Sequence, residues 1–166
     1  MTHLLVKQNQ LFLGDKVYRC AIGKGGLSVA KREGDGCTPL GQFMLRECWY
    51  RPDKLTVPKT SLALRTITQQ DGWCDDPSSS DYNRHVSLPF AYSHEMLWRA
   101  DDVYDLIVPL GYNDEPVLAG KGSAIFMHVA KPQYEPTEGC VALAKTDLLD
   151  ILKHCDPASL IEIQQS

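Results

Sequence analysis

Residues 122–143 read GSAIFMHVAKPQYEPTEGCVAL. Ala124-Ile125-Phe126-Met127 is an unbroken apolar run, too short for a helix, so GSAIFMHVA reads as a strongly apolar strand ending at His128. Pro132 and Pro136 stop that strand and turn the chain into loop. The loop ends at Gly139-Cys140, with Gly139 directly before the thiol. A strand end holds an imidazole rigidly, and a fold-back of the proline segment brings Cys140 to it. Glycine at that point permits a tight turn and close approach of a substrate backbone. It also leaves the Gly139 and Cys140 amides free to point at one oxyanion. Taken alone, the two residues also fit a buried core thiol and a hydrogen-bonded histidine.

The segments around this stretch share its strand-like texture. HLLVKQNQLFLGDKVYRCAIG, residues 3–23, has three short apolar runs split by the polar turns KQNQ and GDK, which predicts a meander. GKGGLSVAKREGDGCTPLG, residues 23–41, carries six glycines and one proline and reads as loop. GQFMLRECWY is the next strand. From Arg51 to Pro89 the chain is polar and proline-rich, and a loop this long inside a domain points to function, here a lid or pocket wall. SHEMLWRADDVYDLIVPLGYND predicts one short helical turn followed by the strand YDLIVPLG. Thr146-Asp147 reads as the N-cap of TDLLDILKHC, whose Leu148, Leu149, Ile151 and Leu152 form a helical stripe. Asp156-Pro157 breaks that helix, and SLIEIQ closes the chain as a strand. The expectation is a mainly β domain over residues 1–166, a sandwich or partly closed barrel with one or two short helices.

Composition removes several function classes. The chain has 166 residues, 43% hydrophobic and 23% charged, with a net charge of −4, and its pI is near 5.7. Lys and Arg are scattered, so nothing suggests nucleic-acid binding. No stretch approaches the roughly 18 apolar residues a membrane-spanning helix needs. The opening apolar run Leu4-Leu5-Val6 is cut by Lys7, Gln8 and Asn9, which does not resemble a secretory signal, so a cytoplasmic location is expected, with a periplasmic one as the alternative for a chain trimmed at its N-terminus. The six cysteines contain no CxxC pair and are expected to be reduced. His94-Glu95 lacks an HExxH frame or a second histidine at ligand spacing, so no metal and no other cofactor is expected.

Two motifs, in order, settle the ambiguity of the His–Cys pair. Thr38-Pro39-Leu40-Gly41-Gln42-Phe43 and the later His128 with Thr137-Glu138-Gly139-Cys140 together resemble the L,D-transpeptidase (YkuD-type) catalytic domain. The resemblance covers essentially the whole chain and implies that family's β-rich fold. It further implies that Cys140 is the nucleophile, forming a thioester with a peptide carbonyl, and that His128 is base and later acid. By the same resemblance the Val129 carbonyl orients the imidazole, and the amides of Gly139 and Cys140 form the oxyanion hole. The implied substrate is a peptidoglycan stem peptide or muropeptide, cut or exchanged between a diamino acid's L-centre and D-alanine.

This chain departs from the family's pattern at three places near the acyl site. Glu138 stands where a histidine is usual, Ala142 where an arginine or asparagine is frequent, and the loop from His128 to Thr137 is short. These changes bear on substrate and acceptor choice. The Glu138 carboxylate is a candidate for a diamino acid's ammonium, with Thr137 beside it. Asp75 and Asp76 are further candidates for an ammonium. Arg84 is a candidate clamp for a terminal carboxylate, and Trp73 or Tyr82 for a pocket wall. The expected reaction is L,D-carboxypeptidase hydrolysis of soluble muropeptides, with transpeptidation as the alternative. A binding module on an inactive domain and a zinc hydrolase are the readings from other classes. Alkylation of Cys140 rising steeply below the ordinary thiol pKa of about 8.5 is the expected sign of an activated thiol.

Overall fold

The computed structural model describes residues 2–165. The meander is present as β1 (His3–Lys7), β2 (Gln10–Leu13) and β3 (Lys16–Ala21), paired antiparallel in sequence. Leu4, Val6 and Leu11 are fully buried while Leu5 and Lys7 are half-buried, the two-residue period of a strand with one face on a core. The glycine-rich segment is loop except for a short parallel pair, β4 (Leu27–Ser28) with β5 (Thr38–Pro39).

Residues 41–50, expected as one strand, form two: β6 (Gly41–Met44) and β7 (Cys48–Tyr50). The long 51–89 segment is not structureless, for it carries β8 (Leu64–Thr66), β9 (Asp71–Cys74) and β10 (His85–Ser87). The helical turn expected at residues 93–99 is instead β11 (His94–Met96), because pairing to β9 satisfies its backbone. Then come β12 (Leu106–Pro109), β13 (Phe126–Val129), β14 (Val141–Leu143), α1 (Lys145–Leu152) and β15 (Leu160–Gln164). The helix starts at Lys145, one residue before the expected cap at Thr146-Asp147. Ala144 is its N-cap, and Asp147 sits in the first turn, where a negative charge suits the helix dipole.

Ten strands form one sheet in the order β6-β15-β1-β2-β3-β14-β13-β12-β7-β8, and β10-β9-β11 form a smaller one. Strands β6 and β7 are adjacent in sequence yet lie near opposite ends of the large sheet. Leu45 between them bridges Leu110, and the amides of Arg46 and Gly111 donate to Pro109 and Met44 at 2.9 and 2.8 Å. The sheet therefore curls until its ends approach, a partly closed half-barrel. Of the two architectures expected, the barrel is the one formed.

Alternation along the central strands divides the core in two. Met127, Val129, Val141, Leu143, Leu106 and Val108 face one cluster, which Leu148, Ile151 and Leu152 of α1 complete. Phe126, Ile107, Trp49 and Cys140 face the other, where Tyr104 and Leu97 join them and Trp73 packs from the small sheet. Cys140 belongs to this second face, and His128 packs against its Tyr104. No helix among the described residues is long and apolar enough to cross a membrane.

Candidate active site

His128 and Cys140 meet because β13 and β14 run parallel, with His128 paired to Ala142. Side chains two apart on a strand share a face, so Cys140, one residue before β14, looks to the same side as His128. Both line one cleft of about 440 Å³. The loop carrying the thiol is docked by its backbone: Thr137 donates to Ile22 at 2.9 Å, and Lys24 donates back to Thr137 at 2.7 Å.

Thr38, fully buried, ties the two sequence motifs together. Its hydroxyl accepts from the Gly23 amide at 2.8 Å and donates to the Gly139 carbonyl at 2.8 Å. Gly139 itself has φ +143°, and a Cβ there would lie 2.8 Å from the Cys37 carbonyl oxygen. Both backbone conformation and space demand glycine. Gly139→Ala is expected to cost about 2–3 kcal/mol in urea unfolding and to displace the thiol. Unchanged stability and unchanged activity would contradict this.

One expectation about the oxyanion hole needs correction. The Gly139 amide is not free: it donates to Thr137 Oγ1 at 3.0 Å, and that hydroxyl donates to the Cys140 carbonyl at 2.7 Å. The hydroxyl closes a small turn ahead of Cys140 and takes the donor. The Cys140 amide makes no hydrogen bond to any described residue.

The Cys140 thiol donates to the Ala124 carbonyl at 3.1 Å and lies 3.4 Å from the Phe126 amide, which donates to it. Burial pushes this thiol up to about 12. His128 is also buried, and its Nδ1 lies 2.9 Å from the Val129 carbonyl, the contact the resemblance implies. A carbonyl only accepts, so Nδ1 carries the proton and Nε2 keeps a lone pair. Burial pulls the imidazole down to about 4. The resting pair is thus neutral thiol and neutral imidazole, not the activated thiolate expected from sequence, because both groups are desolvated.

The lowered imidazole fixes the sign of a pH effect. Its folded pKa is depressed, so its contribution is present above about 6.5 and is lost as pH falls from there toward about 4. The loss amounts to about 3 kcal/mol. Urea unfolding at pH 7 and pH 4 should show this component in the parent and not in His128→Gln. Equal acid sensitivity of the two proteins would contradict it.

Tyr104 packs edge-on against the imidazole, ring centres 5.4 Å apart, and its hydroxyl donates to Glu95 at 2.7 Å. Burial raises Glu95 above its usual range and Tyr104 well above its own. Arg99 lies 5.2 Å over the Tyr104 ring and forks onto Asp101 at 2.8 and 2.7 Å. Glu95, Arg99 and Tyr104 line the cleft, as do Lys31 and Glu33 from the glycine-rich loop. Of the five, the sequence points only to Glu95, and there as half of an incomplete metal site, not as a wall of this cleft. The one available signal was KREGD, a charged run two residues before the TPLGQF motif.

The remaining sequence candidates divide. Thr137, Glu138 and Asp75 line the cleft. Glu138, however, is exposed and already holds an ammonium, that of Lys24 at 3.0 Å. Asp75 accepts from Ser93 at 2.6 Å, and Asp76 is engaged by Ser78 at 2.6 Å. Arg84 is exposed and lines a different cleft with Trp73, whose indole donates to Asn83 at 3.0 Å and whose ring meets Phe126 edge-on. Tyr82 is buried behind the cleft, donating to Glu33 at 2.7 Å and accepting from the Gly122 amide at 2.9 Å. The β9–β10 hairpin thus presents Asp75 to the thiol side and Trp73 and Arg84 to the other, because it stacks beside Phe126 instead of folding over Cys140. His94 and Glu95 do not form part of a metal cluster among the described residues.

Comparison with known proteins follows the same line. A family profile described as the YkuD L,D-transpeptidase catalytic domain matches residues 2–163. The chain belongs to this family. It is a cysteine acyl-transfer catalytic domain. Among solved structures it is similar to Mycobacterium tuberculosis L,D-transpeptidase 1, at 10% identity and TM-score 0.46 over 98% of this chain and 58% of that one. The Campylobacter jejuni helical cell shape determining protein Pgp2 gives 14% identity and TM-score 0.48 over 99% and 48%. L,D-transpeptidase 3 from Mycobacterium tuberculosis, solved with a faropenem-derived adduct, gives 13% and 0.48 over 99% and 60%. The chain therefore spans about half to three fifths of the length of these structures. No curated protein matches.

Proposed function

We propose that this domain is an L,D-carboxypeptidase. It removes the terminal D-alanine of peptidoglycan tetrapeptide fragments through a thioester on Cys140. His128 Nε2 takes the thiol proton as Sγ attacks the carbonyl carbon, and the carbonyl electrons move onto oxygen. Collapse expels the amine of D-alanine, which takes the proton back from His128. Water then attacks the thioester, again losing a proton to Nε2, and the freed thiol closes the cycle.

The distribution of charge around the thiol carries the choice of water over an amine. Glu33, Asp75 and Glu95 accept only from hydroxyls, those of Tyr82 and Ser123, Ser93, and Tyr104, and none is ion-paired among the described residues. Unneutralised carboxylates hold an incoming amine as its ammonium, which has no lone pair to attack with. Water needs only the imidazole. The same wall attracts a small zwitterionic peptide.

The proposal sets the reaction in the cytoplasm, on soluble fragments or precursors, as a step of murein recycling. Six unpaired cysteines, five of them buried, suit a reducing compartment. Cell fractionation with an antibody to the protein tests the compartment.

A second cleft, of about 690 Å³, favours L,D-transpeptidation as the other reading. It is bordered by Pro132 and Tyr134 and shares Val103, Lys131 and Glu135 with the first, so an acceptor peptide has room beside the thioester. Incubation with a purified tetrapeptide muropeptide, followed by mass spectrometry, decides between them. Loss of one alanine, absent with Cys140→Ala, is the expected result. Formation only of dimers or of exchanged D-amino acids would overturn hydrolysis.

A further inference from the structure

With the Gly139 amide committed to Thr137, the oxyanion hole keeps a single backbone donor, that of Cys140. A lysine stands beside it. The Lys31 side chain is 3% exposed, yet its residue lines the cleft. Its stem runs across Gly122, where a Cβ would lie 3.0 Å from Lys31 Cε, and its ammonium ends over Gly139, where a Cβ would lie 3.4 Å from Nζ. Both glycines have φ values that disfavour a side chain, +118° and +143°, so two positions clear the path of this one lysine.

The ammonium is held from behind. Nζ donates to Asp35 at 2.8 Å and to the Arg32 carbonyl at 3.3 Å, and its third N–H has no partner among the described residues. Asp35 is itself locked by the amides of Arg32 and Cys37, each at 2.8 Å. Burial pushes the Asp35 carboxyl up, but these donors and Lys31 hold it down near about 2, so it stays charged and keeps Lys31 in place. A desolvated, pre-positioned cation next to the nucleophile's own peptide stabilises developing negative charge far better than a solvated one.

We infer that Lys31 is the second oxyanion donor of this enzyme, occupying the role that the Gly139 amide cannot fill. As Sγ bonds to the carbonyl carbon, the electron pair moved onto oxygen is received by the Cys140 amide and by the free N–H of Lys31. When the tetrahedral intermediate collapses, the pair returns to the carbonyl and the leaving group departs. The inference rests on Cys140 being the nucleophile and is independent of whether water or an amine completes the cycle.

The test uses an acyl donor with no peptide and no carboxylate. Wild type, Lys31→Met and Lys31→Arg are each treated with p-nitrophenyl acetate, and the nitrophenolate burst and the acetyl adduct on Cys140 are measured. In parallel, Cys140 is alkylated with iodoacetamide, a displacement that forms no oxyanion and reports only thiolate supply. Acetylation of Lys31→Met should fall about 10²–10³-fold, at least tenfold more than its alkylation, with partial recovery in Lys31→Arg. Equal loss of acetylation and alkylation would mean that Lys31 serves only the thiolate, and would overturn the inference. Unchanged acetylation would overturn it as well. A melting temperature within a few degrees of wild type separates these results from misfolding, and Asp35→Asn provides the second variant. It leaves the lysine in the chain but loosens it, so acetylation should fall about tenfold or more. Acetylation on another residue in wild type would remove the nucleophile assignment first, and the inference with it.

Discussion

Cys140→Ala is expected to lower turnover of a tetrapeptide muropeptide by at least about 10⁴-fold, leaving the fold intact. The side chain is buried at 6% exposure and small, so losing the sulfur leaves only a small void among Phe126, Tyr104 and Ala124. What is lost is the thiol that, on the proposed mechanism, carries the acyl group beside His128. The environment also dictates how the thiol reacts before substrate arrives. Burial pushes it to about 12 and pulls His128 to about 4, so the proton leaves as the attack proceeds and not in a prior ionisation. Iodoacetamide alkylation of Cys140 should therefore keep rising about tenfold per pH unit well beyond 8.5. A plateau near or below 8.5 would show a preformed thiolate and contradict the neutral pair, and turnover retained by Cys140→Ala would remove the thioester route altogether.

The double variant Lys54→Met/Lys145→Met is expected to lose about 3–5 kcal/mol of stability. Asp105 is completely buried one residue before β12, just after Tyr104. Lys54 meets its Oδ1 at 2.9 Å, and Lys145, the first residue of α1, stands 2.7 Å from Oδ2 as an ion pair without hydrogen-bond alignment. Methionine keeps the volume of each stem but leaves the carboxylate alone in a dry site. Adding Asp105→Leu removes that charge and should restore most of the loss, since a buried charge is costly chiefly when unpaired. Urea unfolding measures both. A double variant within about 1 kcal/mol of the parent would show that water already reaches Asp105. Because this knot joins the 51–55 turn, α1 and the strand behind Tyr104, the double variant should also lose activity, in step with its stability.

Much of the frame was legible in the chain. The alternation in HLLVKQNQLFLGDKVYRCAIG is that of a meander with one buried face, and β1 to β3 follow it. The apolar run before His128 leads into a core strand, β13, whose four residues Phe126–Val129 are all buried, as a short strand covered on both faces requires. The errors fall where tertiary pairing overrides local preference. SHEML has no strong period, and its pairing with β9 makes it a strand. GQFMLRECWY is broken at Leu45 because the sheet closes there, and nothing in ten residues announces that closure.

The sequence by itself determined which residues are brought together: a cysteine behind a glycine, a histidine at a strand end, and a threonine-proline motif to hold the loop between them. Each depends on residue type and order, which local chemistry constrains tightly. Tertiary structure alone decided what surrounds them. Whether the Gly139 amide is free depends on the turn that Thr137 closes, and that turn depends on docking against Ile22 and Lys24. Which charges face the thiol depends on loops from five separate parts of the chain converging on one cleft. Lys31, Glu95 and Arg99 reach it, while Arg84 and Trp73 turn away. Side-chain direction at such convergence follows from curl, register and desolvation, which are properties of the assembled sheet and have no signature in any single stretch of residues.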